Sequence, residues 1–104
     1  MDAQMKKGFL DVCVLAALSR GESYGYKIID DLKGFIEVSE STLYPILKRL
    51  EQGGQLSVDS REHNGRLRKY YNITPSGTTK LKDFKNSFLD MQKVFNFIFH
   101  QEEK

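Results

Sequence analysis

Hydroxyl and basic side chains share one side of a short apolar segment, Ser41-Thr42-Leu43-Tyr44-Pro45-Ile46-Leu47-Lys48-Arg49-Leu50-Glu51. Its leucines and isoleucine recur with the 3.6-residue period of a helix and predict a buried face. The outward set is Ser41, Thr42, Tyr44, Lys48 and Arg49. Small donors at a helix N-terminus followed by cations are the groups with which a helix enters a DNA groove.

A second basic group lies downstream, although the whole chain carries a net charge of only +2. Residues 61–72 hold four cations against the single acid Glu62, so this segment is +3 and the rest of the chain is −1. The cations are Arg61, Arg66, Arg68 and Lys69. Such a patch is typical of a phosphate-binding surface, and a solvated surface remains the alternative.

Composition indicates one globular domain in the cytoplasm. The chain has 104 residues, 39% of them hydrophobic and 29% charged. Its one cysteine, Cys13, lies in an apolar run at 12–18 that is too short to cross a membrane. The two histidines, His63 and His100, stand far apart, and no catalytic grouping is recognisable. We therefore expect no enzyme activity, metal site, cofactor or membrane association.

Three helices are expected before residue 55. The first should run from about Met5 to Arg20 and close at Gly21. The second should follow Ser23 as its cap and end before Gly34. Pro45 requires the third helix to begin close to residues 39–42, and the Gly53-Gly54 pair stops it.

A hairpin and a long helix should follow. Alternation from Leu56 to Arg61, then Asn64-Gly65, predicts a tight antiparallel hairpin. The returning strand should place Leu67, Tyr71 and Ile73 on one face and Arg66, Arg68, Tyr70 and Asn72 on the other. Thr74 and Pro75 should begin a last helix that runs to about His100.

The last helix carries an unbroken heptad stripe, which consists of Leu81, Phe84, Phe88, Met91, Phe95 and Ile98. So small a domain cannot bury all six side chains from one side. We expect Leu81 and Phe84 to pack on the chain's own first helix and the later positions to pack on a second copy. The last helix should also meet the partner's first helix around Phe9 and Val12. The predicted dimer interface comprises Phe9, Val12, Phe84, Phe88, Met91, Phe95 and Ile98.

The predicted fold is mainly α with a small β-hairpin, a winged helix-turn-helix at residues 1–74 followed by a dimerisation helix at 75–104. Three motifs in this order, Tyr24-Gly25-Tyr26-Lys27-Ile28-Ile29, residues 41–51 and residues 65–77, resemble the PadR family of transcriptional regulators. The resemblance covers roughly residues 8–78 and is closest to the small members that have one C-terminal helix.

The resemblance implies a homodimeric DNA-binding repressor. By position, the third helix would place Ser41, Thr42, Tyr44 and Lys48 in the major groove, with Arg49 beside them. Tyr24 would meet phosphate, and Arg66, Arg68 and Lys69 would form the contacts of the wing. Leu67 stands where a basic residue is frequent, and Gln55 stands where an apolar residue is usual. Two-fold symmetry would give a roughly palindromic operator on double-stranded DNA.

Several alternatives stay open from the sequence. Tyr44 is either a packing residue or a groove contact, and the basic wing would equally suit an acidic protein partner. In that case the chain would be a winged-helix protein-interaction module that does not bind DNA. A small aromatic effector is a further candidate partner, since aromatic side chains of the last helix could line a cavity between two copies.

Overall fold

The computed structural model describes residues 3–99 and confirms a mainly α fold with one hairpin. The order is α1 (Ala3–Leu18), α2 (Gly25–Leu32), α3 (Glu40–Gln52), β1 (Leu56–His63), β2 (Arg66–Ile73) and α4 (Pro75–Phe99). Three helices followed by a two-stranded wing form a winged helix-turn-helix, to which α4 adds a long C-terminal helix. The expected end of α4 at His100 lies outside the described residues.

The core lies where the first three helices meet. Its fully buried large side chains are Val14, Leu15, Leu18, Ile28, Leu43, Leu47 and Leu50. Leu56 and Tyr71 extend this core to the base of the hairpin. The predicted apolar face of α3 is therefore the buried one, and its hydroxyl and basic residues remain exposed.

The hairpin turns at Asn64-Gly65 as predicted. Both residues have positive φ, 52° and 81°, which a two-residue turn of this kind requires. Leu56 pairs with Ile73 at the base of the hairpin, and His63 pairs with Arg66 at the tip. Leu67 shares a face with buried Tyr71, but it lies beyond the core and is 79% exposed.

Ser23 does not cap α2, so that prediction was wrong. It forms an isolated bridge with Tyr71, in which each backbone N–H donates to the other's carbonyl at 3.1 and 2.8 Å. Tyr24 takes the N-cap position without a side-chain capping bond. This pairing competes with capping because an extended Ser23 is needed to continue the edge of the hairpin.

The start of α3 also differs in detail from a capped helix. Ser39 occupies the N-cap position, but its hydroxyl meets the side-chain hydroxyls of Ser41 and Thr42 at 3.1 and 3.2 Å. Pro45 lies in the second turn and has no N–H to donate to the carbonyl of Ser41. Ser41 is exposed, so solvent can satisfy that carbonyl.

Thr74 caps α4 as predicted and also ties the helix to the loop before β1. Its hydroxyl accepts from the N–H of Gly77 at 3.1 Å and donates to the carbonyl of Gly54 at 2.6 Å. Gln55 keeps its polar side chain in the same loop, where its amide donates to the carbonyl of Gly53 at 3.0 Å. An apolar residue is therefore not needed at position 55.

The first part of α4 packs on α1. The Phe9 and Phe84 rings meet edge to face with centroids 5.6 Å apart, and Val12 is buried within the chain. Val12 thus has little surface left for a partner. Of the residues predicted for the dimer interface, it is the one that the chain itself buries. Beyond Phe84 the helix projects from the domain, and the molecule measures 62 × 26 × 20 Å.

Candidate nucleic-acid interface

An open groove of about 650 Å³ separates the start of α2 and α3 from the wing. We call it the wing groove. Its lining includes five of the predicted DNA contacts, Tyr24, Tyr44, Arg66, Arg68 and Lys69. The N-terminus of α2 and the cations of the wing around one concave surface form a site suited to the phosphates of a nucleic acid.

The hydroxyl cluster of α3 does not line the wing groove itself. Ser39 and Thr42 line an adjoining depression, which shares Tyr24 and Tyr26 with the groove. Ser39, Ser41 and Thr42 are linked by their side chains, and Ser41 and Thr42 are exposed at the first turn. The depression is formed with α1 and α2. The exposed α3 N-terminus thus presents small hydrogen-bonding groups next to a basic wing.

Tyr44 packs against α2 and also faces the groove. A Cβ added to Gly25 would lie 2.9 Å from Cζ of Tyr44, so the absence of a side chain at Gly25 makes room for this ring. Tyr44 nevertheless remains 41% exposed. The two roles left open by the sequence are therefore compatible in one side chain.

Arg68 is held by two aromatic rings. Its guanidinium carbon lies 3.6 Å from the centroid of the Tyr24 ring and 5.3 Å from that of Tyr70, within cation–π range. Its Nε also donates to the Tyr70 hydroxyl at 3.1 Å. The rings of Tyr24 and Tyr70 themselves meet edge to face at 5.8 Å.

Arg61 continues this arrangement on the neighbouring strand. Its guanidinium lies 3.8 Å from the Tyr70 centroid and forms ion pairs with Glu22 and with Asp59, the latter at 3.1 Å. These acids partly offset the positive charge that the sequence assigned to the wing.

The remaining predicted cations differ in their surroundings. Within the described part of the chain, Lys48, Arg66 and Lys69 are exposed and have no ion-pair partner. Arg49 instead pairs with Asp11 of α1, which Lys80 of α4 also approaches at 3.7 Å. The structure therefore directs Arg49 towards α1 and α4. Four predicted DNA contacts, all on α3, lie outside the residues that line the wing groove, namely Ser41, Thr42, Lys48 and Arg49.

Six residues that line the wing groove were not among the predicted DNA contacts, namely Gly25, Tyr26, His63, Asn64, Leu67 and Tyr71. Tyr26 is exposed, and a hydrogen bond to Glu40, followed by the negative charge of that carboxylate, raises the pKa of its phenol. His63 and Asn64 stand at the tip of the hairpin. The Asn64-Gly65 turn signal already placed both residues at the tip of the hairpin, and this position could have marked them as groove residues.

The model of the transcriptional regulator PadR-like family matches residues 14–83, which include α2, α3 and the whole wing. The chain belongs to this family. The resemblance expected from three motifs is confirmed over most of the chain.

Solved PadR-like structures share the fold. A transcriptional regulator from Clostridium thermocellum is 29% identical, with a TM-score of 0.85 over 95% of this chain and 98% of that one. A PadR-like transcriptional regulator from Bacillus cereus is 35% identical, with a TM-score of 0.79 over 92% and 96% of the two chains. The long C-terminal helix is part of this shared architecture.

One PadR structure contains DNA. PadR from Bacillus subtilis in complex with operator DNA is 30% identical, with a TM-score of 0.67, over 72% of this chain and 45% of that longer chain. As a member of the PadR-like family, the chain is a transcriptional regulator. Among residues 3–99, no helix has the length and apolarity needed to cross a membrane.

Proposed function

We propose that this PadR-like regulator is a homodimeric repressor that binds a palindromic operator. The observation that carries the proposal is the wing groove, in which the start of α2 and Tyr44 of α3 face the basic residues of the hairpin. Ser41, Thr42 and Tyr44 would face bases, while Lys48, Arg66 and Lys69 would contact phosphate. The operator complex of B. subtilis PadR supports double-stranded DNA as the partner.

The dimer rests on the projecting part of α4. Phe88, Met91 and Phe95 are 46%, 53% and 45% exposed, on a helix of 25 residues. When a partner covers a continuous apolar stripe, the removal of that surface from water stabilises the complex. In this proposal residues 1–74 read DNA, and the helix from residue 75 onward holds two such domains together. Phe9 and Phe84 would border the interface, and Ile98 would lie near its end.

Binding at rising salt tests the proposal. The three cations proposed to contact phosphate, Lys48, Arg66 and Lys69, are present in each of two protomers and predict a slope of log affinity against log salt of about −5. Fluorescence anisotropy with the DNA upstream of this gene, against a scrambled duplex of equal length, measures both the slope and the selectivity. Equal affinity for the two duplexes at low salt would contradict the proposal.

The protein-interaction module is the competing function and predicts a different result. In that case the chain would bind neither duplex selectively, and substitution of Arg66 or Lys69 would leave DNA binding unchanged. The exposed hydroxyl cluster of α3 favours DNA, because small donors suit base edges and phosphates.

A small aromatic effector belongs to the same proposal at the dimer interface. The rings of Phe95 and Phe99 are stacked with centroids 6.1 Å apart, and both side chains are exposed. Two such helices would enclose an aromatic surface between the copies. To release DNA, an effector at this surface must bind the DNA-free arrangement of the dimer more tightly than the DNA-bound one. Replacement of Phe88 and Phe95 by alanine should abolish ligand-induced release from DNA, and an unchanged response would exclude this site.

A further inference from the structure

Tyr24 and Arg68 were both expected to contact phosphate, but the structure brings them into contact with each other. The Arg68 guanidinium lies 3.6 Å from the Tyr24 centroid, and its Nε bonds the Tyr70 hydroxyl. We infer that Arg68 is a wing-positioning residue, held by Tyr24 and Tyr70, and that it fixes the hairpin against the start of α2. This inference refines the proposed DNA binding and rests on it.

The contact of Arg68 with Tyr24 and Tyr70, which we call the lock, joins two elements of the fold. Arg68 is therefore not simply a cation on the surface of the wing. Tyr24 is the N-cap of α2, whereas Arg68 and Tyr70 belong to β2, 44 and 46 residues later. The adjacent Ser23 and Tyr71 form a backbone bridge between the same two segments. Side-chain stacking and backbone pairing therefore act at one joint.

Arg61 and Glu22 extend the lock to the outer strand. Arg61 lies over the Tyr70 ring and pairs with Glu22, which precedes Ser23 in the same connecting segment. One segment, residues 22–24, thus contacts both strands of the wing. A hairpin held at three consecutive positions keeps a fixed orientation relative to the start of α2.

Arg66 and Lys69 then become the phosphate-contacting cations of the wing. Unlike Arg68, neither has a cation–π contact among residues 3–99, neither has an ion-pair partner there, and both line the wing groove. The wing would therefore combine two kinds of arginine, one that orients the hairpin and one that meets DNA. Their positions two residues apart on the same strand face provide a matched comparison.

Salt dependence distinguishes the two roles. Arg66→Gln removes one phosphate contact from each of the two protomers, so it should make the slope of log affinity against log salt shallower by about 1.8. Arg68→Gln should lower operator affinity at every salt concentration while the slope stays that of the wild type. A slope change equal to that of Arg66→Gln would overturn the inference.

Two further variants separate charge from stacking. Arg68→Lys keeps the charge but loses the planar guanidinium, so it should bind DNA as weakly as Arg68→Gln. Tyr24→Phe keeps the ring without its hydroxyl and should retain wild-type affinity, whereas Tyr24→Leu should not. The losses of operator affinity caused by Tyr24→Leu and by Arg68→Gln should not multiply in the double variant, since each substitution removes the same contact. Full affinity of Arg68→Lys or multiplicative effects would contradict the lock.

The lock can also be observed without DNA. Aromatic ring currents should shift the Arg68 δ-methylene resonances upfield in the wild-type protein, and Tyr24→Leu should reverse most of that shift. An unshifted Arg68 resonance in the wild type would overturn the inference. Wild-type protein that lacks selective DNA binding would instead refute the proposed function, and the ring-current shift would still decide whether the lock exists.

Discussion

Lys48 and Arg49 are adjacent cations on α3, but they differ in what surrounds them. Lys48 is exposed, whereas Arg49 pairs with Asp11. Lys48→Gln removes one contact from each protomer, so it should weaken operator binding and make its salt slope shallower by about 1.8. Arg49→Gln should leave the slope unchanged and lower the free energy of unfolding by about 0.2–1 kcal/mol, as for an exposed ion pair.

Anisotropy titrations and urea denaturation of the two variants measure these effects. Equal losses of slope would mean that Arg49 also contacts phosphate. The helical period correctly predicted that both residues are exposed. It could not identify Asp11 as the partner of Arg49, because that aspartate lies 38 residues away in sequence and only the packing of α1 on α3 brings them together.

Gly77 lies in the first turn of α4, where alanine would ordinarily be the better helix former by about 1 kcal/mol. Here a Cβ would collide with the carbonyl oxygen of Gln55 and lie 2.7 Å from Cγ1 of Ile73. Gly77→Ala should therefore destabilise the protein by about 1–3 kcal/mol, the usual cost of overpacking. Thermal denaturation against the exposed neighbouring variant Ser76→Ala checks this, and a stabilised Gly77→Ala would contradict the packing argument.

At the scale of elements, the contacts between helices and strands are harder to predict from the sequence than the helices and strands themselves. Asn64-Gly65 predicted the hairpin and its turn because the required backbone conformation is local to two residues. The bridge between Ser23 and Tyr71 depends on where the finished hairpin docks, so the sequence suggested a helix cap instead. The wing groove was likewise only partly foreseen, since Tyr26 and His63 enter it through that docking.

Thr74 joins α4 to the loop before β1 through one hydroxyl. That hydroxyl caps the helix and donates to the carbonyl of Gly54. Thr74→Ala should cost about 1 kcal/mol or somewhat more in unfolding free energy, while Thr74→Ser keeps both bonds and should cost far less. Urea denaturation of the pair measures the difference, and an equal loss in both variants would show that the methyl group matters rather than the hydroxyl.

At the scale of the whole molecule, the projecting half of α4 leaves a stripe of large apolar side chains exposed. The heptad spacing predicted this surface because a period of 3.5 residues is visible without any tertiary information. The sequence could not show how far the chain's own α1 covers the stripe. The structure answers this, since Phe84 packs on Phe9 whereas Phe88 and the positions beyond it are at least 45% exposed.

The dimer can be tested without disturbing the fold. Phe88→Asp with Phe95→Asp places two carboxylates on the exposed stripe, where a monomer solvates them but a covered interface cannot pair them. The variant should therefore sediment as a monomer at micromolar concentration, keep the thermal unfolding of its α1–α3 core, and lose operator affinity. Asn86→Asp with Lys93→Gln changes the charge equally on the opposite side of α4 and should remain a dimer.

Loss of DNA binding should follow from geometry rather than from contact. Half-sites one DNA turn apart require two α3 helices held about 34–36 Å from each other, which a monomer cannot provide. The aspartate variant should accordingly bind an isolated half-site about as well as wild-type protein does, while its preference for the full palindrome disappears. If wild-type protein sediments as a monomer, or if the variant still prefers the palindrome, α4 does not set the distance between the reading helices.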